Sequence, residues 1–242
     1  LHPVAHSFPT RRSSDLNGVH EINLIAQDTT RYGADLRPRR QLSELLAAMA
    51  EAVSSDVWIR LLYTHPMRLG DDVLNHMTDS GCLLPYVDVP LQHVSSPVLK
   101  NMRRGMTERS TRDLLERIRS RVPGVAIRTT LIVGFPGETD GDFERLRTFV
   151  GECRFHRLGV FAYSNEPGTP AAESGLDPVP ADVALERRDE LLLLQSEISL
   201  SRNRDLLGQT VEVLVERRLA DGLFLGRTYA DAPEVDNAVV LE

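Results

Sequence analysis

Residues 128–142 read RTTLIVGFPGETDGD. The apolar, β-branched run from Ile127 to Val133 predicts a buried strand, and Gly134-Phe135-Pro136-Gly137 predicts the tight turn that ends it. A helix should follow. Thr139 is suited to the N-cap with Asp142 three residues on, and Phe143, Leu146 and Val150 continue at helical spacing. In α/β architectures ligands sit where the chain leaves a strand's carboxyl end, so this strand, turn and helix form a candidate site wall. A tight βα turn with no ligand fits the same local pattern. A phosphate-cradling P-loop does not, because it needs G-x-x-x-x-G-K-[ST], and this turn carries Glu138 and no lysine.

The flanking sequence repeats the alternation. Upstream, strands are expected at His20–Ile25, Val57–Tyr63 and Tyr86–Val89, and helices at Gln41–Val53, Asp72–Ser80, Ser96–Met102 and Ser110–Arg121. Downstream, the helix runs to about Cys153, and a fifth strand, Leu158–Tyr163, leads into Ser164-Asn165-Glu166-Pro167-Gly168. Polar residues recur just after the strands, the pattern of a parallel α/β barrel with its site on one rim. From Pro180 the character changes. Ala181–Leu207 predicts one long helix packing through Leu185, Leu192, Leu194 and Ile198. After Gly208, strands are expected at Thr210–Glu216, Phe224–Tyr229 and Ala238–Leu241, with Asp221-Gly222 as a hairpin signal. The expected organisation is therefore a disordered or non-native leader over 1–16, a barrel segment over 17–180, a connecting helix over 181–207 and a small all-β unit over 208–242 that looks cut short.

Composition narrows the class. A 41% hydrophobic and 26% charged content is ordinary for a soluble globular protein, and a net charge of -7 gives no general case for a polyanion-binding surface. No apolar run approaches the ~20 residues a bilayer span requires, so a cytoplasmic protein is expected. Cys82 and Cys153 lie far apart with no C-x-x-C or Cys/His cluster, which indicates neither a disulfide framework nor a metal site.

From about Gly18 onward the sequence resembles the radical-SAM methylthiotransferases. The motifs that carry the resemblance are QDTTRYG at 27–33, YTHP at 63–66, DVPLQHVSSPVLKNMRRG at 88–105, RTTLIVGFPGET at 128–139 and FAYSNEPGT at 161–169. The tail, GRTYADAPEVDNAV at 226–239, resembles the TRAM domain of the RimO branch, whose members modify an aspartate of a small-subunit ribosomal protein. The resemblance implies an α/β fold, a partial parallel (β/α) radical-SAM barrel lacking its first strand, followed by a small, incomplete TRAM domain. It also implies S-adenosylmethionine as cosubstrate and two 4Fe-4S clusters in the full-length family member. One departure is clear. The C-x-x-x-C-x-x-C motif and the further N-terminal domain of the family are absent from this sequence, so the chain reads as an inactive internal fragment of a longer enzyme. A non-catalytic interaction protein derived from the family is the alternative.

Site roles follow from the resemblance. Gln27, Asp28 and Thr29 match the segment near the methionyl amine, although an Asx-type turn fits them too. Gln92 matches a strand-end position facing ribose or cluster. Arg128 and Thr130 lie two apart on a strand and share a face. Arg128 is suited either to a carboxylate or to a buried ion pair. Tyr163 and Ser164 could border the adenine. His65 and His93 lack a third neighbouring ligand for a metal. In residues 208–242 three arginines face seven carboxylates, a net of -4 that suits a basic ribosomal protein better than tRNA, the alternative partner. Asp231, Glu234 and Asp236 are the expected partner-binding acids.

Overall fold

The computed structural model describes residues 18–242. The leader expected over 1–16 lies outside them. Strands β1 (Glu21–Leu24) and β2 (Trp58–Leu61) pair in parallel, from Glu21 opposite Trp58 to Leu24 opposite Leu61. Strands β3 (Tyr86–Asp88), β4 (Ala126–Val133) and β5 (Arg157–Ala162) form a second parallel set in that order. A bridge joins the two sets. Ile59 N donates to Cys82 O at 2.7 Å, and Leu84 N donates to Ile59 O at 2.9 Å. Five parallel strands thus stand side by side in chain order.

Alternation along β4 shows how the sequence divides the two faces of this arc. Ile127, Thr129, Leu131 and Val133 are buried, while Arg128, Thr130 and Ile132 between them are partly exposed. The apolar face is covered by α1 (Leu42–Ala52), α2 (Asp71–Asp79), α3 (Ser96–Asn101), α4 (Glu108–Arg121) and α5 (Asp140–Cys153). Leu46, Leu74, Leu99, Ile118 and Phe149 fill the layer between strands and helices. The inner face carries Glu21, Arg60, Asp88, Arg128 and Thr130. No helix among the described residues is long and apolar enough to cross a membrane.

The capping expected after the glycine turn is present. Thr139 Oγ1 accepts from Asp142 N at 3.2 Å, and the Asp142 carboxylate accepts from Thr139 N at 3.1 Å. The long helix α6 (Ala181–Asp205) buries Ile198 and packs Leu194 against the core as expected, but the rest of its buried stripe differs. Ala184, Arg187, Leu191, Gln195 and Ile198 face inward, whereas Leu185 and Leu192 are exposed. The run Leu191–Leu194 is apolar all round and so leaves the rotation undetermined. Arg187 fixes it by reaching Glu138.

The tail is an antiparallel sheet of β6 (Leu214–Ala220), β7 (Leu223–Arg227) and β8 (Val239–Leu241). Ala220 pairs with Leu223 across Asp221-Gly222, so the hairpin turn sets the register and moves β6 four residues beyond the expected start. The loop between β7 and β8 folds back onto the inner face of the arc. Ala232 is buried there with Trp58, Leu84, Tyr86 and Ala126, and Tyr229 and Ala230 pack alongside. Arg60 Nη1 donates to Tyr229 O at 2.8 Å while its Nε holds Glu21 at 2.7 Å. Arg227 ties the same Glu21 to Glu216.

Where the tail and α6 meet the base of β5, His156 makes an unusual pair of contacts. Ile127 N donates to its Nδ1 at 3.2 Å and Arg202 Nη1 lies 3.0 Å from its Nε2, so donors face both ring nitrogens. Burial, and then the cations of Arg202, Arg157 and Arg119, push its pKa down to about 3. The unfolded chain takes up this proton near pH ~6.5 and the folded chain does not, so stability is full above that pH and falls below it. Between pH ~7 and ~5 the expected loss is about 2 kcal/mol. Urea midpoints across that window, compared with those of His156→Gln, measure it. A wild-type profile as flat as the variant's would refute it.

Candidate functional site

At the carboxyl ends of the strands, five loops and strand ends enclose a cleft of about 330 Å³. Gln27 comes from the turn after β1, Tyr63 to Pro66 from the turn after β2, and Pro90 and Gln92 from the segment after β3. Arg128 and Thr130 of β4, Phe161 of β5 and Arg104 complete the wall. Parallel strands place all these loops on one rim, which is why residues more than a hundred positions apart converge.

Two wall residues hold a left-handed backbone without being glycine: Tyr63 at φ +54° and Gln92 at φ +70°. Such conformations cost on the order of 1–3 kcal/mol each and persist only where surrounding bonds impose them. Those bonds are present. Tyr63 N donates to Asp88 Oδ2 at 3.0 Å, Gln92 N donates to Thr130 O at 2.9 Å, and Ile132 N donates to Gln92 O at 2.7 Å. The turn at Gln92 sends its side chain to a place where Oε1 is buried with no hydrogen-bond partner. Arg104 donates from Nη2 to Pro90 O at 2.9 Å, yet its Nε is likewise buried and unpartnered. Two of the residues that line the cleft therefore each keep one buried polar atom without a hydrogen-bond partner.

The charged groups around the cleft are largely paired. Asp28 caps the 3-10 turn Thr29–Arg31, accepting from Thr30 N at 3.1 Å, and receives Arg68 Nη2 at 2.6 Å. Burial raises its pKa, but the bonds from Thr30 and Arg68 and the Arg68 charge outweigh burial and leave the carboxyl below its ordinary range. Thr29 is buried, its hydroxyl donating to Leu62 O at 2.9 Å, so it fastens this turn to β2. Arg128 Nη1 lies 3.3 Å from Asp88 Oδ1 and its Nε 3.7 Å from Asp236 Oδ1. Arg128 thus forms the ion pair that was one of its two readings, while it also lines the cleft. Burial and the cations Arg68 and Arg104 lower the pKa of His65 from its ordinary value, and its Nδ1 accepts from Met67 N at 3.2 Å.

Behind the cleft, His93 and Glu138 are fully buried side chains whose Nε2 and Oε2 lie 3.5 Å apart. Glu138 also accepts from Gly134 N at 2.9 Å and pairs with Arg187 at 2.7 Å.

Gln27, Gln92, Arg128 and Thr130 come together in the cleft, and Asp28 and Thr29 brace its edge. Tyr163 and Ser164 do not line it. Tyr163 packs edge-on against Phe135 with centroids 5.1 Å apart, and Ser164 donates to Glu166 at 2.9 Å. Tyr163 lies past the end of β5, where strand alternation no longer applies. Phe161, two residues earlier and 61% exposed, presents its ring to the cleft instead. Arg104 and Tyr63 are among the other lining residues not anticipated. Both lie inside recognised motifs, but no periodicity marks them. The three tail acids also need correction. Asp231 is buried against Arg157, and the Asp236 side chain is only 4% exposed. Glu234 alone is open to solvent.

The sequence profile of the Radical SAM superfamily matches residues 16–150, and that of the TRAM domain matches 207–242. The chain belongs to the radical SAM superfamily. A ribosomal protein uS12 methylthiotransferase RimO from Flavobacterium johnsoniae is 49% identical over 226 residues, covering 93% of this chain and 51% of that protein. A relative of the same name from Aquifex aeolicus is 47% identical over 227 residues, covering 93% and 52% respectively. The chain thus spans about half the length of these curated relatives. The radical S-adenosylmethionine methyltransferase TsrM from Kitasatospora setae, solved with cobalamin and a [4Fe-4S] cluster, superposes with a TM-score of 0.51 at 17% identity, over 66% of this chain and 31% of that one. That likeness shows the shared fold alone.

The superfamily implies S-adenosylmethionine and an iron-sulfur cluster, and the two fit this chain differently. The cleft, with its unpartnered Gln92 and Arg104 atoms, suits a polar cosubstrate. Cluster iron takes several thiolates grouped around it. Cys82 and Cys153 are both buried, burial pushes the Cys153 thiol up, and no group of three or more His, Cys, Asp or Glu side chains among the described residues could hold a metal ion. That donor set does not fit a cluster.

Proposed function

We propose that the strand-end cleft binds S-adenosylmethionine, and that the chain is the cosubstrate-binding and tail portion of a methylthiotransferase that modifies an aspartate of ribosomal protein uS12. The observation that carries the cosubstrate assignment is the pair of unpartnered atoms, Gln92 Oε1 and Arg104 Nε, in a cleft that a superfamily member forms at its strand ends. Gln92 would accept from an N–H of the ligand, and Arg104 would donate to a hydroxyl or carboxylate. Phe161 offers an exposed ring for the adenine face. Gln27 and Thr130 add polar contacts at opposite walls. When bound, S-adenosylmethionine supplies the methyl group and the radical chemistry; the protein's part is to orient it and shield it from water.

The relatives' printed names support uS12 as substrate over tRNA. No donor set among the described residues suits either of the two 4Fe-4S clusters of the full-length family member, so this chain alone is expected to be inactive in the overall reaction.

Titration calorimetry with S-adenosylmethionine tests the cosubstrate assignment. Wild type should bind saturably, and Gln92→Leu, which keeps the side-chain volume and removes the acceptor, should bind about tenfold more weakly. Equal affinities, or no binding by wild type, would overturn it. Mass analysis of uS12 and of tRNA nucleosides from cells with and without the full-length enzyme decides the substrate: a modified nucleoside with unmodified uS12 reverses the choice.

A further inference from the structure

We propose that Asp236, from the tail, is a positioning residue for the cleft, acting through Arg128 so that docking of the tail loop and binding of S-adenosylmethionine are coupled. This rests on the cosubstrate reading given above. Among the described residues, Arg128 alone lines both the cleft and a second recess of about 320 Å³ bounded by Val235, Asp236 and Asn237. Its guanidinium is shared between two carboxylates. On the tail side, Asp236 Oδ2 is fixed by Tyr86 Oη at 3.0 Å and Ala232 N at 2.9 Å, which aims Oδ1 at Arg128 Nε, 3.7 Å away. On the cleft side, Asp88 Oδ1 meets Arg128 Nη1 at 3.3 Å.

Asp88 carries the effect onward. Its Oδ2 accepts from Tyr63 N at 3.0 Å, and its carbonyl accepts from Thr64 Oγ1 at 2.7 Å and Thr64 N at 2.9 Å. Those bonds hold the left-handed turn that forms one cleft wall. The Asp88 and Asp236 side chains are 0% and 4% exposed, so neither is screened by water. Without the Asp236 charge the guanidinium loses one of its two anchors and is drawn toward Asp88, and the wall is no longer held in its binding geometry. Linkage requires the reverse effect: ligand in the cleft must stabilise the docked tail by the same factor.

Dissociation constants for S-adenosylmethionine, measured on the full chain as wild type, Asp236→Asn and Asp221→Asn, test the forward effect. Asp221 is an exposed tail acid at the hairpin, so its variant controls for loss of tail charge alone. Asp236→Asn should bind at least about fivefold more weakly, and Asp221→Asn as wild type does. Hydrogen exchange of wild type with and without ligand tests the reverse effect and needs no variant: amides in residues 228–237 should slow on binding. Unchanged affinity in folded Asp236→Asn, or unchanged exchange in ligand-saturated wild type, overturns the proposal while leaving the cosubstrate reading intact. If wild type binds no ligand, that reading fails. A double-mutant cycle of Asp236→Asn with Arg128→Gln in urea unfolding then decides the coupling, and additive losses overturn it.

Discussion

Arg187→Met is expected to lower the stability of the chain by about 3–5 kcal/mol, the largest effect of any single side-chain truncation considered. The reason lies with the partner left behind. Glu138 has a fully buried side chain, and its carboxylate is met by Arg187 at 2.7 Å and by Gly134 N at 2.9 Å. Methionine fills much of the space of arginine but leaves that carboxylate without a cation in a site closed to water. The second contact of Arg187, to Asp140, matters little because that carboxylate is fully exposed. Arg187→Met combined with Glu138→Gln should recover part of the loss, since the uncompensated charge is then gone. Urea unfolding of the three proteins measures both effects, and a loss under about 1 kcal/mol in the single variant would show that the pair contributes little.

Gly134→Ala should cost about 2–5 kcal/mol, for two reasons that can be separated. Gly134 has φ +74°, a conformation that costs a residue with a Cβ roughly 1–2 kcal/mol. Its added methyl would also collide with Cβ of Ala184, with the Ala184 Cα only 3.3 Å away, so the turn and α6 would have to separate. Gly168 isolates the first contribution: at φ +77° it has nothing within 4 Å of a new Cβ. Gly168→Ala should therefore lose only the conformational part. Equal unfolding midpoints for the two alanine variants would mean that the contact with α6 yields easily.

The two variants probe a region that was partly legible from sequence alone. The strand, the glycine turn and the Thr139 cap are local features, set by residues within four positions of one another, and they form as their pattern dictates. The strand-end position of the cleft was legible from the alternation of strands and polar turns, whereas Gln27 and Gln92 were picked out only by the family resemblance. Contacts across the chain were not legible. Nothing near Arg187 in sequence says that a helix stripe should carry an arginine inward, because the reason is Glu138, 49 residues earlier. The alternation of ADAPEVD likewise cannot reveal that Asp231 and Asp236 are paired with Arg157 and Arg128, on strands that precede them by more than seventy residues. An acid-rich loop reads as a solvated surface until the cations that bury it are located.

The clamp between Glu21 and Arg227 joins residues 206 positions apart and has a consequence for the order of assembly. A ribosome adding about 5–20 residues per second delivers Arg227 some ~10–40 seconds after Glu21. Each strand of the arc needs only its immediate successor, so pairing can advance while synthesis continues. The tail loop that covers the concave side arrives late. During that interval Glu21, Arg60, Asp88 and Arg128 stand in water, where hydration satisfies them and discourages neighbouring nascent chains from sticking to that side. Closure then replaces water with fixed charge partners, which places the tail's docking among the last steps of folding.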